Sequence, residues 1–145
     1  MPDGKIWKPK NYQNKFFGPS TLRRGIEQSR NVMTVRLASD IGMTKIADLA
    51  QRLGIYDKMP QQLAMALGAG ETTLMKMTTA YSMFDNGGKK IEATLIDRIQ
   101  DRYGRTVFRY DKRDCSLCKQ DTYTPGSAEP ELIDVREQVM SPYTA

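Results

Sequence analysis

The sequence predicts a mixed α/β, mainly helical fold with one β-hairpin near residues 94–110, and three observations carry that prediction. Apolar residues recur at helical spacing over residues 32–53 and again over residues 74–84. Each periodic stretch has hydroxyl residues before it or glycine after it, the start and stop chemistry of helices. From Ile91 the period shortens, and residues 94–100 and 106–110 are rich in Ile, Val, Thr and aromatics.

The elements follow in order. Residues 1–19 form an irregular aromatic lead-in: Trp7, Tyr12, Phe16 and Phe17 are mixed with Pro9, lysines and asparagines. Gly18-Pro19 punctuates the chain, and Ser20 or Thr21 can cap a short helix running to Gln28. Gly25 inside that helix weakens it unless close packing requires it. Val32, Val35, Leu37 and Ile41 are read as one face of a second helix ending near Gly42. A third helix is expected to be capped by Thr44, with Ile46, Leu49, Ala50 and Leu53 as its stripe and Gly54 as its stop. The apolar, glycine-ended run over residues 61–70 reads as a buried strand or a short helix leading to a tight loop.

Thr72 or Thr73 opens a further helix with Leu74, Met77, Ala80, Tyr81 and Phe84 on one side, closed by Asn86-Gly87-Gly88. Met75, Met77 and Met83 read as adaptable core filling. The hairpin turns at Asp101-Arg102-Tyr103-Gly104-Arg105. Residues 111–131 are a polar loop, after which Leu132, Ile133 and Val135 suggest a short strand or an apolar anchor. Ser141-Pro142 looks like the first turn of a helix just before the chain stops at Ala145, which reads as a domain interrupted.

At 145 residues the chain has the length of one domain, able to bury about two-thirds of its unfolded surface. No run approaches the ~18 consecutive apolar residues of a membrane helix, and the start has no apolar signal segment. Formal charge is +5 and pI is near 9.2, but Arg23-Arg24, Lys89-Lys90 and Lys112-Arg113 are only pairs. A nucleic-acid patch needs denser clustering, so a solvated surface is the better reading and no nucleic-acid partner is expected. The alternative function is a small basic binding module for nucleic acid or anionic glycan. Histidine is absent, which excludes a Ser-His-Asp triad and any histidine-containing zinc site within the chain.

Several segments taken together carry a family resemblance. They are Trp7-Lys8-Pro9-Lys10-Asn11-Tyr12, Phe17-Gly18-Pro19-Ser20-Thr21-Leu22-Arg23, Ser29-Arg30-Asn31, Thr34-Val35-Arg36-Leu37 and Leu67-Gly68-Ala69-Gly70-Glu71-Thr72. In order and spacing they resemble the transpeptidase domain of class A penicillin-binding proteins, and residues 25–31 resemble the 1A type of α-proteobacteria. Ala80-Tyr81, Asn86-Gly87-Gly88, residues 96–104 and Gln138-Val139-Met140-Ser141-Pro142-Tyr143-Thr144-Ala145 extend the likeness, which is weakest over residues 111–131. The resemblance implies a partial transpeptidase domain over residues 1–145, of the penicillin-binding-protein/β-lactamase-like fold, with the helical part at 20–88 and the hairpin at 91–110.

The family's chemistry is acyl transfer at the D-Ala-D-Ala stems of peptidoglycan. A serine in Ser-Xaa-Xaa-Lys attacks, and Ser-Xaa-Asn and Lys-Thr-Gly complete the site. Here Ser29-Arg30-Asn31 matches the second element, so Ser29 and Asn31 are the candidate catalytic residues. Ser29 would relay a proton and Asn31 would hydrogen-bond substrate backbone or the catalytic lysine, because a hydroxyl donates and accepts in turn while a carboxamide offers a fixed pair. Three letters alone more often mark a helix cap; the flanking matches favour the catalytic reading.

The other two elements are missing. Ser116-Leu117-Cys118-Lys119 has the nucleophile spacing but falls after Ser-Xaa-Asn, where the family's order forbids it, and Lys-Thr-Gly does not occur. The resemblance places both beyond the ends of the chain, so the chain alone is expected to be inactive. The parent would be a bifunctional synthase at the periplasmic face of the inner membrane, with a glycosyltransferase domain upstream. Its partners would be the stem peptide and β-lactams, with no cofactor or metal. The fragment alone is expected to form a homo-oligomer or a swapped dimer over its uncovered apolar face.

Two further patterns are set against this frame. Cys115 and Cys118 have a CxxC spacing, but zinc would need two more ligands from carboxylates or another chain. In a periplasmic parent a local disulfide is the better expectation. Gly68-Ala69-Gly70-Glu71-Thr72-Thr73 lacks the Gly-Lys-Ser/Thr ending of a phosphate loop, and Glu71 would repel a phosphate.

Overall fold

A computed structural model describes residues 7–115, 118 and 125–145. The start of the lead-in and Ser116, Leu117 and Lys119 of the Ser-Xaa-Xaa-Lys coincidence lie outside the described residues. The chain forms two units, Met1–Met77 and Thr78–Ala145. Its class is mixed α/β and mainly helical, as expected, with two small two-stranded antiparallel sheets.

In the first unit a 3-10 turn at Tyr12–Asn14 precedes α1 (Leu22–Glu27), α2 (Asn31–Ile41) and α3 (Met43–Arg52). The Thr21 hydroxyl oxygen caps α1, accepting from the Arg24 N–H at 3.3 Å. Gly25 is buried, and a Cβ there would stand 2.5 Å from Met33 Sδ, so close packing explains the glycine. A single residue, Gly42 (φ +91), ends α2 and begins α3. Thr44 is therefore one residue inside α3 and not its cap; its hydroxyl donates to Gln61 Oε1 at 3.1 Å. A second 3-10 turn, Leu63–Leu67, packs on α2. It realises the short-helix reading of the 61–70 run, but none of its five residues is fully buried. The buried apolar side chains of this unit are Val35, Ala38, Ala47, Leu53 and Met59.

Helix α4 (Leu74–Asp85) has its first turn in the first unit and the rest in the second. The Thr73 hydroxyl oxygen caps it by accepting from the Lys76 N–H, while the Thr72 hydroxyl donates to the Ile55 carbonyl at 2.7 Å. Two expected apolar faces are corrected. On α2 the buried pair is Val35 and Ala38, whereas Leu37 and Ile41 are exposed, because Leu37 lies two residues, or about 200°, from Val35. On α4 Ala80 and Met83 are buried while Leu74, Tyr81 and Phe84 are exposed.

In the second unit β1 (Arg98–Gln100) pairs with β2 (Thr106–Arg109), with an irregularity between Ile99 and Gln100. Asp101 Oδ1 accepts from the N–H groups of Tyr103 and Arg105, and Gly104 (φ +80) closes the turn, which gives the expected hairpin. The strands β3 (Asp114–Cys115) and β4 (Leu132–Ile133) form the second sheet. Val139, 2% exposed, is fixed where its N–H donates to the Gly88 carbonyl at 2.9 Å. Only a glycine fits at 88, since φ is +79 and a Cβ would strike the Met140 carbonyl and side chain.

Candidate active site at the turn between α1 and α2

The turn begins where α1 runs out. Beyond its cap residue Gln28, the Ser29 N–H donates to the Ile26 carbonyl at 3.0 Å and the Arg30 N–H to the Gly25 carbonyl at 2.9 Å. This crossed pair is a Schellman motif, which requires a left-handed residue just past the helix. Ser29 is that residue, with φ +48.

The same crossed pair closes two other α-helices. After α3 the N–H groups of Gly54 and Ile55 donate to the carbonyls of Gln51 and Ala50, and after α4 those of Gly87 and Gly88 donate to Phe84 and Met83. In both, the left-handed residue is glycine, with φ +69 and +63. A residue with a Cβ costs about 1–2 kcal/mol more in this conformation. Asn14 (φ 55) is the other non-glycine there among the described residues, and asparagine tolerates the region. Ser29 thus occupies a position where the chain elsewhere uses glycine. It is exposed, and its hydroxyl makes no hydrogen bond to another described residue.

Asn31 opens α2 and is half-buried. Its Nδ2 donates to the Lys10 carbonyl at 3.0 Å, which leaves Oδ1 and a second N–H for another partner. The helix cannot cap itself, because its N-cap residue is Arg30, which makes no side-chain cap. Asn11 supplies the bond from 21 residues away: its Oδ1 accepts from the Val32 N–H at 3.0 Å, and its Nδ2 donates to the Lys15 carbonyl at 2.9 Å. In the sequence Asn11 stands out only as part of the Trp-Lys-Pro-Lys-Asn-Tyr segment, because a cap at such separation has no local sequence signature.

Arg30, the central residue of the motif, stacks its guanidinium 3.4 Å from the centroid of the Phe17 ring. Both residues line an open cleft of about 470 Å³ together with Asn11, Pro19, Met33 and Arg36. Ser29 and Asn31 do not line that cleft. The structure therefore brings Ser29 and Asn31 to the two sides of Arg30 on one tight turn, with a hydroxyl and a carboxamide as the chemical equipment. Neither ionises near neutral pH, so the pair can relay or orient a proton but brings no general base of its own to activate a hydroxyl.

Other polar clusters serve local structure. Arg113 grips Asp111 through two nitrogens, and Arg136 grips Asp134, which also meets Lys89 at 3.2 Å. The hydrogen bonds from these arginines hold both carboxyls well below the usual carboxylate range. Cys115 and Cys118 are joined in a disulfide with Cα atoms 5.4 Å apart. Among the described residues no group of three metal-ligating side chains converges.

Known proteins resemble the chain closely. Residues 1–128 match the family described as the penicillin binding protein transpeptidase domain. Penicillin-binding protein 1A of Rickettsia bellii is 47% identical over 117 residues, covering 81% of this chain and 15% of that protein. The protein of the same name from Neisseria gonorrhoeae is 40% identical over 136 residues, covering 93% of this chain and 16% of that protein. The crystal structure of penicillin-binding protein 1A from Haemophilus influenzae superposes with a TM-score of 0.68 at 39% identity, over 75% of this chain and 16% of that one. The chain thus spans about one-sixth of the length of these relatives.

Proposed function

The chain belongs to the penicillin-binding protein transpeptidase domain family, and from that premise we propose that it contributes Ser29 and Asn31 to the acyl-transfer site of a longer peptidoglycan synthase. The observation that carries the proposal is the conformation of Ser29. A side chain is held left-handed and exposed at a helix end where the two sister motifs place glycine. Strain of that kind persists where the side chain itself is needed.

In the proposed reaction, a serine outside this chain attacks the carbonyl of the penultimate D-Ala of a stem peptide. The C–N bond to the terminal D-Ala breaks, and that residue leaves as the amine. An amine from a neighbouring stem then attacks the acyl-serine, forming the cross-link and returning the serine hydroxyl. Each half-reaction moves one proton to or from nitrogen. Ser29, with a rotatable hydroxyl and no internal partner among the described residues, relays that proton between the amine and the base that activates the nucleophile. Asn31, anchored through one N–H to Lys10, offers its carbonyl oxygen and remaining N–H to the extended peptide backbone. A β-lactam would acylate the same serine and stay there.

The site would be active only in the longer protein, at the periplasmic face of the inner membrane, since mutual positioning of nucleophile and relay supplies much of the rate. Charge alone supported the alternative of a basic binding module, and Lys89, Lys90, Arg113 and Arg136 are ion-paired within the chain. Covalent labelling with a fluorescent penicillin tests the proposal. This chain by itself should take no label, while the full-length protein should be labelled on a serine outside residues 1–145, located by mass spectrometry of its peptides. A label on any serine of this chain would overturn the assignment.

A further inference from the structure

We propose that Asn11 is a positioning residue for this site, holding Asn31 in its working orientation by capping α2 from outside the helix. The inference rests on the acyl-transfer reading of Ser29 and Asn31.

At the start of α2 the Arg30 N–H is taken by the Gly25 carbonyl, but the N–H groups of Asn31, Val32 and Met33 need acceptors from outside the helix, and the N-cap side chain offers none. The N-cap position is Arg30, whose side chain has no acceptor atom and is stacked on Phe17. Asn11 fills the vacancy by accepting from the Val32 N–H at 3.0 Å. In the opposite direction, Asn31 Nδ2 donates to the carbonyl of Lys10, the residue next to Asn11. These two amide bonds run antiparallel between the same short segments, so neither segment can shift without stretching both. The strap is stiffened on its own side: Asn11 Nδ2 donates to the Lys15 carbonyl, and the Asn14 N–H donates to the Asn11 carbonyl at 3.0 Å. Asn31 is the first residue of the capped helix, and Ser29 lies two residues before it, so the bond at Val32 sets the backbone from which both working side chains project.

The bond that matters is an acceptor facing the positive end of a helix, which an aspartate provides as well as an asparagine does. An alanine does not. The test measures acylation of the full-length protein by a chromogenic β-lactam, separating the saturating rate from the half-saturating concentration and normalising to acylable sites so that loss of folded protein does not count. Asn11→Ala should lower the saturating rate about tenfold, the effect of one lost capping bond. Asn11→Asp should restore it to within about threefold.

Hydrogen exchange of the Val32 amide in this chain should be accelerated in N11A and protected again in N11D. An Asn11→Ala rate unchanged while Asn31→Ala is impaired would overturn the strap and leave the site reading intact. Equal impairment in N11A and N11D would overturn the Val32 bond as the carrier. An unimpaired Asn31→Ala would instead overturn the site reading on which the inference rests.

Discussion

Replacing Ser29 by glycine should make the chain more stable while removing the proposed proton relay. The magnitude follows from the Schellman motif at the end of α1. A left-handed residue bearing a Cβ costs about 1–2 kcal/mol relative to one without. Against this, glycine gives the unfolded chain extra freedom worth about 0.5–1 kcal/mol. The exposed Ser29 hydroxyl gives up no hydrogen bond to another described residue, so nothing else enters the sum. Ser29→Gly should therefore stabilise by about 0.5–1 kcal/mol, raising Tm by roughly 1–4 °C for a domain of this size.

The chain carries its own control at Gly54, which has the same motif with φ +69 and open space where a Cβ would go. Gly54→Ser should lose about what Ser29→Gly gains, and Ser29→Ala, which keeps the Cβ, should gain nothing. Thermal unfolding followed by circular dichroism reads all three. A Ser29→Gly Tm equal to or below that of the unsubstituted chain, or a neutral Gly54→Ser, would refute the claim that Ser29 is strained.

Three other outcomes are expected. Gly88→Ala should destabilise by about 2–3 kcal/mol, because it adds left-handed strain to a collision with the Met140 backbone; an unchanged denaturant midpoint would contradict that packing. The carboxyls of Asp111 and Asp134 are held below their unfolded values by Arg113 and Arg136, so their contribution is complete above pH ~4 and is lost as pH falls through the folded values. Acid titration of unfolding should accordingly show a stability loss below pH ~4 that is shallower in Asp134→Asn, and an identical slope would count against the pair. The chain alone exposes Leu74, Tyr81, Leu95 and Val135, so light scattering should show self-association at high concentration; a monomer throughout would contradict that expectation.

Much of the fold was legible because helix ends and the hairpin turn are local chemistry. Thr21, Gly42, Gly54, Asn86-Gly87-Gly88 and the Asp101 to Gly104 turn each act within a few residues of their own position. What depends on distant partners was not legible. Thr44 looked like a cap, but Gly42 takes that place, lets α3 start two residues earlier at Met43 and frees the Thr44 hydroxyl for Gln61. The faces of α2 and α4 were only partly legible: Val35 and Ala80 are buried as expected, but Leu37 and Tyr81 were counted for their size and are exposed, while Ala38 was passed over and is buried. Val139 lies in a short segment without a repeating apolar pattern, and its position is fixed by a backbone bond to Gly88 that no periodicity announces.

The site divides in the same way. Ser29 and Asn31 were proposed from the motif and its flanks. The left-handed backbone of Ser29 and the remote cap from Asn11 were not, since serine carries no mark of positive φ and a cap separated by 21 residues has no spacing rule.

The central claim, that Ser29 belongs to an acyl-transfer site completed by residues outside this chain, is tested most directly by the acylation rate of the full-length protein bearing Ser29→Ala. Loss of a positioned proton relay should slow β-lactam acylation by about a hundredfold or more, with Tm unchanged because the Cβ and its strain remain. A rate within twofold of the unsubstituted protein would contradict the account.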